Sequence, residues 1–244
     1  MCFVRVYIVE FNTINKYWEV MPNMFQEKML SLKNKIIEFA NLVIDMSKET
    51  FIRLKNRDEN IEKLVMERET KANNMEVEIE EDCVYIIAQY GPKATDLRFV
   101  ITVLKMSNDF ERIADHVVNI AQSGKILIMN NMYILKTFWN LLEELFNKSS
   151  YMFETSIKAF INKDIGQAKY ICKFDQEVDM LKRDIYKKLV EEIKNNPENI
   201  ENLLHIERII NNLERIADLS TNICEDVVFL YEAAIIKHHK KEIL

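Results

Sequence analysis

The chain has 244 residues, of which 48% are hydrophobic and 30% charged, and its formal net charge is −6. This acidic balance argues against a general nucleic-acid binder, because phosphate backbones reward an excess of lysine and arginine. With 3 glycines and 3 prolines, the sequence has too few turn-forming residues for a many-stranded sheet, and it predicts an all-α protein with long helices.

The segment before residue 23 fits none of the patterns that follow it. Val4, Val6 and Ile8 alternate with other residues, which is compatible with a short strand, although a lone strand is marginal in water. We treat residues 1–22 as an N-terminal leader without an assigned domain.

Three long helices are predicted next. The first covers residues 25–55, with apolar residues at helical spacing and no glycine or proline. Asp58 is the predicted N-cap of the second helix, which runs to Gln89. Gly91 and the proline after it separate this helix from a third over residues 94–125, whose apolar residues alternate steps of four and three. That seam is typical of helices packed at a shallow angle.

An internal duplication organises the remainder of the chain. The pentapeptide Glu-Arg-Ile-Ala-Asp at residues 111–115 recurs unchanged 103 residues later, at 214–218. Upstream, Asn162-Lys163-Asp164 corresponds to Asn56-Arg57-Asp58 at an offset of 106. The sequence therefore predicts six long helices in two tandem three-helix bundles. The predicted domains are residues 23–128 and 132–239.

Neither a membrane span nor a thiol-based site is indicated. No segment approaches the roughly 18 consecutive apolar residues that a spanning helix requires, and the N-terminal segment lacks a signal-peptide cleavage pattern. We therefore expect a cytoplasmic protein that does not insert into a membrane. The cysteines contain no C-x-x-C pair and are expected to be reduced thiols. They are Cys2, Cys83, Cys172 and Cys224.

The duplicated motif places two carboxylates four residues apart on the third helix of each half. These pairs are Glu111 with Asp115 and Glu214 with Asp218. The repeat alignment reveals a second polar pair on each middle helix. These pairs are Glu69 with Asn73 and Asp175 with Asp179. Consecutive antiparallel helices of a bundle lie against each other, so four oxygen-bearing side chains can converge in each half.

Two interpretations of these acidic residues are open. Like charges at i, i+4 destabilise a helix, so the repeated pattern favours a bound cation such as iron, zinc, manganese or magnesium. Alternatively, the acids form an ordinary solvated face that is balanced by Arg68, Arg112 and Arg215.

Catalysis has no positive signal in the sequence. The Glu-x-x-His motif of ferritin-like di-metal oxidases is absent, as are nucleophile triads and a P-loop. His116 adjoins Asp115 and is interpreted as an ordinary surface histidine, with a supporting role beside a metal as the alternative. His238 and His239 lie in a lysine-rich tail, where they complement the dipole of the last helix. We predict that the protein is not an enzyme.

The segment from Asn108 to Ala121 closely resembles the third-helix signature of the PhoU family of phosphate-uptake regulators. Residues 212–218 resemble the second copy of that signature, and residues 91–98 resemble the loop and helix start before the first. The resemblance implies two three-helix bundles that hold metal clusters through Glu/Asp-x-x-x-Asp motifs. On this chain the motifs fall on Glu111 with Asp115, Asp175 with Asp179, and Glu214 with Asp218, and Glu69 also matches. Asn73 replaces an acid, so the first cluster is expected to bind fewer ions or none.

The same resemblance implies a role in phosphate homeostasis. It suggests a metal-binding regulatory adaptor that negatively regulates the high-affinity phosphate transporter and phosphate-starvation signalling. The implied partners are the ATPase of the phosphate ABC transporter and a membrane sensor histidine kinase. A homodimer is also expected, because long bundles with flat polar faces often pair. Two alternatives stay open: a carboxylate-bridged metalloenzyme on a helical bundle, and an accessory protein of another phosphate permease.

Overall fold

The computed structural model describes residues 3–130 and 132–233, with side chains from 24 to 130 and from 133 to 233. Its helices are α1 (Phe3–Asn56), α2 (Ile61–Tyr90), α3 (Thr95–Asn130), α4 (Met132–Asn162), α5 (Ile165–Asn195) and α6 (Ile200–Glu232), with a 3₁₀ turn at Pro197–Asn199. The prediction of six helices in two tandem three-helix repeats is confirmed. None of the helices in these described ranges is both long enough and apolar enough to span a membrane.

The first helix is longer than the sequence predicted. It begins at Phe3 and not near Phe25, so the suggested strand through Val4, Val6 and Ile8 is wrong. A short apolar alternation does not by itself distinguish a strand from a helix. A helix also satisfies its own backbone hydrogen bonds, whereas a single strand leaves them unpaired.

The second helix of each repeat starts in a different way. Asp164 caps α5, since its Oδ1 accepts a hydrogen bond of 2.9 Å from the backbone N–H of Gln167. Asp58 occupies the equivalent position in the first repeat but does not cap α2, which begins only at Ile61. Its carboxylate pairs with Arg53 instead. The other carboxylate oxygen, Oδ1, accepts a hydrogen bond of 2.9 Å from the backbone N–H of Asn60, the residue before α2. The predicted cap at Asp58 is therefore wrong, because this bond satisfies an N–H group outside the helix.

The helices that carry the duplicated pentapeptide, α3 and α6, pack against each other at the centre of the molecule. An ion pair joins Lys105 of α3 to Asp226 of α6, and Arg208 of α6 donates a hydrogen bond of 2.5 Å to the side-chain oxygen of Asn119. Residue numbers rise along one helix as they fall along the other, so the two helices are antiparallel. One continuous hydrophobic core therefore extends through both repeats.

Three phenylalanines join the repeats within this core. The ring of Phe110 on α3 lies edge-on to Phe39 of α1, with 5.5 Å between ring centroids, and edge-on to Phe153 of α4 at 5.7 Å. Phe110 and Phe39 are fully buried. Edge-to-face contacts at these separations stabilise aromatic pairs beyond the area they bury.

The cysteines within the described residues are free thiols. Cys83 and Cys224 are buried and Cys172 is half-buried, so the predicted reduced thiols are confirmed for these three. Burial raises the pKa of Cys83 to about 12, which leaves it protonated and unreactive at neutral pH. Cys2 lies outside the described residues.

Replacing Phe110 by alanine should lower the free energy of unfolding by about 3–5 kcal/mol, because the substitution leaves a cavity where the two repeats meet. Urea denaturation followed by far-UV circular dichroism measures the change. Phe110→Leu retains most of the buried volume and should cost less. A loss below about 1 kcal/mol in Phe110→Ala would show that the two repeats do not depend on this contact.

Candidate functional site: two carboxylate clusters

In the second repeat, carboxylates of α5 and α6 face each other across the helix pair. The two helices are antiparallel, with the hydroxyl of Tyr186 2.6 Å from Glu207 Oε1 on one side and the Lys182–Glu214 ion pair nearby. This register sets the acidic residues of α5 against those of α6. Asp179, Glu214 and Asp218 act on one another there. With Asp175, the remaining predicted residue one turn before Asp179 on α5, we call them the second cluster.

Burial and mutual repulsion act on this cluster. Asp175 is 4% exposed, and the Glu214 side chain is 14% exposed. The pKa of Asp218 is raised, first by burial and then by the negative charges of Glu214 and Asp179, while Arg215 opposes the shift. Glu214 Oε2 is a buried atom with no hydrogen-bond partner among the described residues. The cluster therefore carries negative charge that the protein only partly compensates.

Two cationic side chains of the protein partly neutralise the negative charge of the second cluster. Lys182 Nζ lies 3.0 Å from Glu214 Oε1, and the guanidinium of Arg215 lies 3.0 Å from Asp218 Oδ2. Arg215 Nε also lies 3.9 Å from Glu214 Oε2, so both α6 carboxylates are engaged by cations of the protein. Among residues 24–130 and 133–233, no three Asp, Glu, His or Cys side chains are grouped closely enough to hold one metal ion.

The first repeat forms a corresponding cluster between α2 and α3. Burial raises the pKa of Glu111, and the charges of Asp115, Glu76 and Glu69 raise it further, while Arg112 lowers it. The predicted partners Glu69, Glu111 and Asp115 therefore act on one another across the two helices. Asn73, the remaining predicted member, lies on the exposed surface of α2.

Glu76 belongs to the first cluster although the repeat alignment did not predict it. Its Oε1 accepts a hydrogen bond of 3.3 Å from the amide of Asn108, which directs the carboxylate toward α3 beside Glu111. The equivalent residue of the second repeat is Lys182. Glu76 thus supplies the fourth carboxylate that Asn73 does not. Its position seven residues after Glu69, on the same helix face, was the signal available in the sequence.

The donor chemistry of both clusters suits a hard cation, because carboxylate oxygens are the ligands that such ions prefer. Glu214 Oε2, which is buried without a hydrogen bond and lies 3.9 Å from Arg215 Nε, agrees with this fit. Holding an ion in the second cluster requires the carboxylates to exchange Lys182 and Arg215 for the metal, through side-chain rotations within the same helix pair.

Comparison with known proteins identifies the lineage of this arrangement. A family model described as the PhoU domain matches residues 36–124 and again 142–227, which together make up most of the chain. The chain belongs to the PhoU family. The two matched segments contain both clusters of this PhoU-family chain, so the duplication is one of whole family domains.

Relatives of similar length support the assignment. The chain is 31% identical over 206 residues to the phosphate-specific transport system accessory protein PhoU homolog 1 of Thermotoga maritima, covering 84% of this chain and 88% of the relative. It is 28% identical over 209 residues to the corresponding PhoU homolog of Clostridium acetobutylicum, covering 85% and 94%.

Two crystal structures share the fold. One is PhoU from Pseudomonas aeruginosa, with a TM-score of 0.79, 26% identity, and coverage of 86% of this chain and 100% of that one. The other is the phosphate transport system regulatory protein PhoU from Streptococcus pneumoniae, with a TM-score of 0.80, 26% identity, and coverage of 87% and 99%.

His116 has a different role from the one predicted. It is half-buried, and its Nδ1 lies 2.8 Å from the side-chain oxygen of Asn212 on α6, so it joins the two PhoU repeats. The interpretation as an ordinary surface histidine is wrong, because α6 covers this face of α3. Burial lowers the pKa of His116, and Arg112 and Arg215 lower it further, while Asn212 and Asp115 oppose the shift. His238 and His239 lie outside the described residues.

Acid should weaken the contact between repeats through His116. In the unfolded chain the His116 imidazole takes up a proton near its ordinary pKa of 6.5. In the folded chain the pKa of His116 is lower, so the folded protein takes up this proton only at a lower pH. The His116 contribution to the free energy of unfolding should therefore fall as pH drops through 6.5 toward the lowered pKa. His116→Gln removes this titration, so urea denaturation at a series of pH values should show a smaller acid loss in the variant. Identical pH dependence in both proteins would contradict the assignment.

Proposed function

We propose that this PhoU-family chain is a metal-binding regulatory adaptor of phosphate uptake. The observation that carries the proposal is the match of the family domain to both repeats, together with full-length relatives that are named as phosphate transport accessory proteins. In this role the chain negatively regulates the high-affinity phosphate transporter and phosphate-starvation signalling through protein–protein contacts on the cytoplasmic side of the membrane.

The chain is an accessory protein and not an enzyme. The relatives and the matched structures are named as accessory and regulatory proteins. The metalloenzyme alternative would have to operate without the Glu-x-x-His ligands of ferritin-like oxidases, which the sequence lacks. The proposed partners are accordingly proteins: the ATPase of the phosphate ABC transporter, a membrane sensor histidine kinase, and a second copy of this chain.

The carboxylate clusters support the metal-binding part of the proposal. In the second cluster the ligands would be Asp175, Asp179, Glu214 and Asp218. In the first cluster they would be Glu69, Glu76, Glu111 and Asp115, with Asn73 at the edge. A bound hard cation such as iron, zinc, manganese or magnesium would relieve the repulsion that raises the pKa of Asp218 and of Glu111.

The metal prediction is tested by substitution in the second cluster. Glu214→Ala combined with Asp218→Ala should at least halve the metal that the purified protein carries, because both α6 ligands of one cluster are lost while the helix remains favourable. Elemental analysis by mass spectrometry measures the metal, and circular dichroism checks helical content.

Two further variants sharpen this test. Asp184→Ala with Glu191→Ala removes two exposed acids of α5 outside the cluster and should leave the metal content unchanged. Lys182→Ala removes the competing cation and should leave bound metal equal or increased. Full retention of metal in Glu214→Ala/Asp218→Ala would contradict the ligand assignment.

The regulatory part of the proposal predicts a gain of transport. Deleting the gene should increase phosphate uptake by cells grown with ample phosphate, because the restraint on the high-affinity transporter is removed. Uptake of radiolabelled phosphate measures this effect, and re-expression of the wild-type chain should restore it.

Affinity purification of the tagged chain from cells should also recover the ATPase of the phosphate ABC transporter. Unchanged phosphate uptake in the deletion strain, with no transporter ATPase recovered, would reject the proposal. Recovery of a different phosphate permease would favour the remaining alternative, an accessory protein of that permease.

A further inference from the structure

A basic pocket lies away from both carboxylate clusters, between the end of α1 and the first turns of α4. Its volume is about 400 Å³, which is within the range typical of small-molecule sites. It is lined by Leu54, Lys55, Arg57, Leu135, Lys136, Trp139 and Asn140. Three of these seven residues are cationic and none is acidic, in a chain whose net charge is −6.

Two of the three cations have no internal counter-charge. Lys55 Nζ lies 2.7 Å from Glu143 Oε1. Arg57 and Lys136 are exposed and form no ion pair with any described side chain, and the neighbouring Asp58 is engaged by Arg53. Arg57 also occupies a left-handed turn with φ of 61°, which holds its backbone at the rim of the pocket. Unpaired cations at a concave site favour an anionic ligand.

The floor of the pocket is apolar and rigid. Leu54 and Leu135 are at most 2% exposed. The half-buried indole of Trp139 is held against Phe51, with 5.0 Å between ring centroids, and Phe51 stacks in turn on Phe146 at 3.9 Å. An indole fixed in this way offers a planar surface on which an aromatic group of a ligand can stack.

Comparison of the two repeats shows that the fold does not require cationic side chains at Lys55 and Lys136. At the equivalent place in the other repeat, where the end of α4 meets α1, Ile161 replaces Lys55 and Leu30 replaces Lys136. Both of these residues are exposed apolar side chains. Lys55 and Lys136 are therefore specific to this location, whereas the third cation, Arg57, is matched by Lys163 in the other repeat.

We propose that the basic pocket binds a nucleoside phosphate. The base lies on Trp139 and the leucine floor, Asn140 offers both a donor and an acceptor to the base edge, and Arg57 and Lys136 bind the phosphate groups. The site is independent of the carboxylate clusters, which lie between other helix pairs, and it does not depend on the proposed metal.

Titration of the full-length protein with ATP tests the proposal. EDTA is included so that no metal bridges the nucleotide to a carboxylate. The chain has two tryptophans, so Trp18→Phe leaves Trp139 as the only tryptophan, which is excited selectively above the absorption of the tyrosines. ATP should quench its emission in a saturable manner, and isothermal titration calorimetry on the wild-type chain should give the same dissociation constant.

Matched variants and partial ligands locate the binding. Arg57→Glu with Lys136→Glu should weaken ATP binding at least tenfold. Lys163→Glu with Lys173→Glu imposes the same change in net charge elsewhere and should alter binding less than twofold. Lys163 is the repeat equivalent of Arg57 and shares its left-handed conformation, with φ of 58°. Adenosine has the base but no phosphate, and inorganic phosphate lacks the base. Each should therefore bind at least tenfold more weakly than ATP.

Several outcomes would overturn the proposal. These are the absence of both quenching and heat with ATP, equal weakening by the two charge-reversal pairs, and inorganic phosphate binding as tightly as ATP. Binding of a poly-glutamate peptide without binding of ATP would likewise overturn it, since the pocket would then accept an acidic partner segment.

Discussion

The antiparallel packing of α3 against α6 is the contact on which the rest of the structure depends. Each of these helices must bury one face against the other repeat and present a second face to its own middle helix. Ile113 and Ala114 are fully buried in the duplicated pentapeptide. Glu111, two residues earlier, stays at the flank facing α2. With 3.6 residues per turn, one short motif thus specifies both the core and the acidic flank.

The helices and the pairing of acidic residues within each repeat could be predicted from the sequence. Both depend on local periodicity and on the short connections between neighbouring helices. A turn at Gly91 fixes the register of α2 on α3, so the meeting of Glu69 with Glu111 was predictable. The contact of His116 with Asn212 was not, since no short loop links α3 to α6 and only tertiary packing sets their register. The role of Glu76 was not predicted for another reason. The acidic residues were found by aligning the two repeats, and the repeat equivalent of Glu76 is Lys182, which has the opposite charge.

The three candidate binding regions of the molecule occupy separate helix pairs. The acidic clusters lie between α2 and α3 and between α5 and α6, whereas the basic pocket lies between α1 and α4. Opposite charges are thereby kept apart on one small protein, which prevents the cations of the pocket from neutralising the carboxylates. The apolar core and the polar contacts between α3 and α6 join the repeats, and they connect these regions physically.

The exchange of Glu76 for Lys182 has a consequence for the molecule as a whole. Both clusters contain four carboxylates and one arginine, but only the second contains a lysine. The order of helices is thus repeated while the charges of the two clusters are not. The extra lysine lowers the negative charge of the second cluster relative to the first, and salt weakens the attraction of either cluster for a diffusing cation. Duplication preserved the fold and left the two halves electrically unequal.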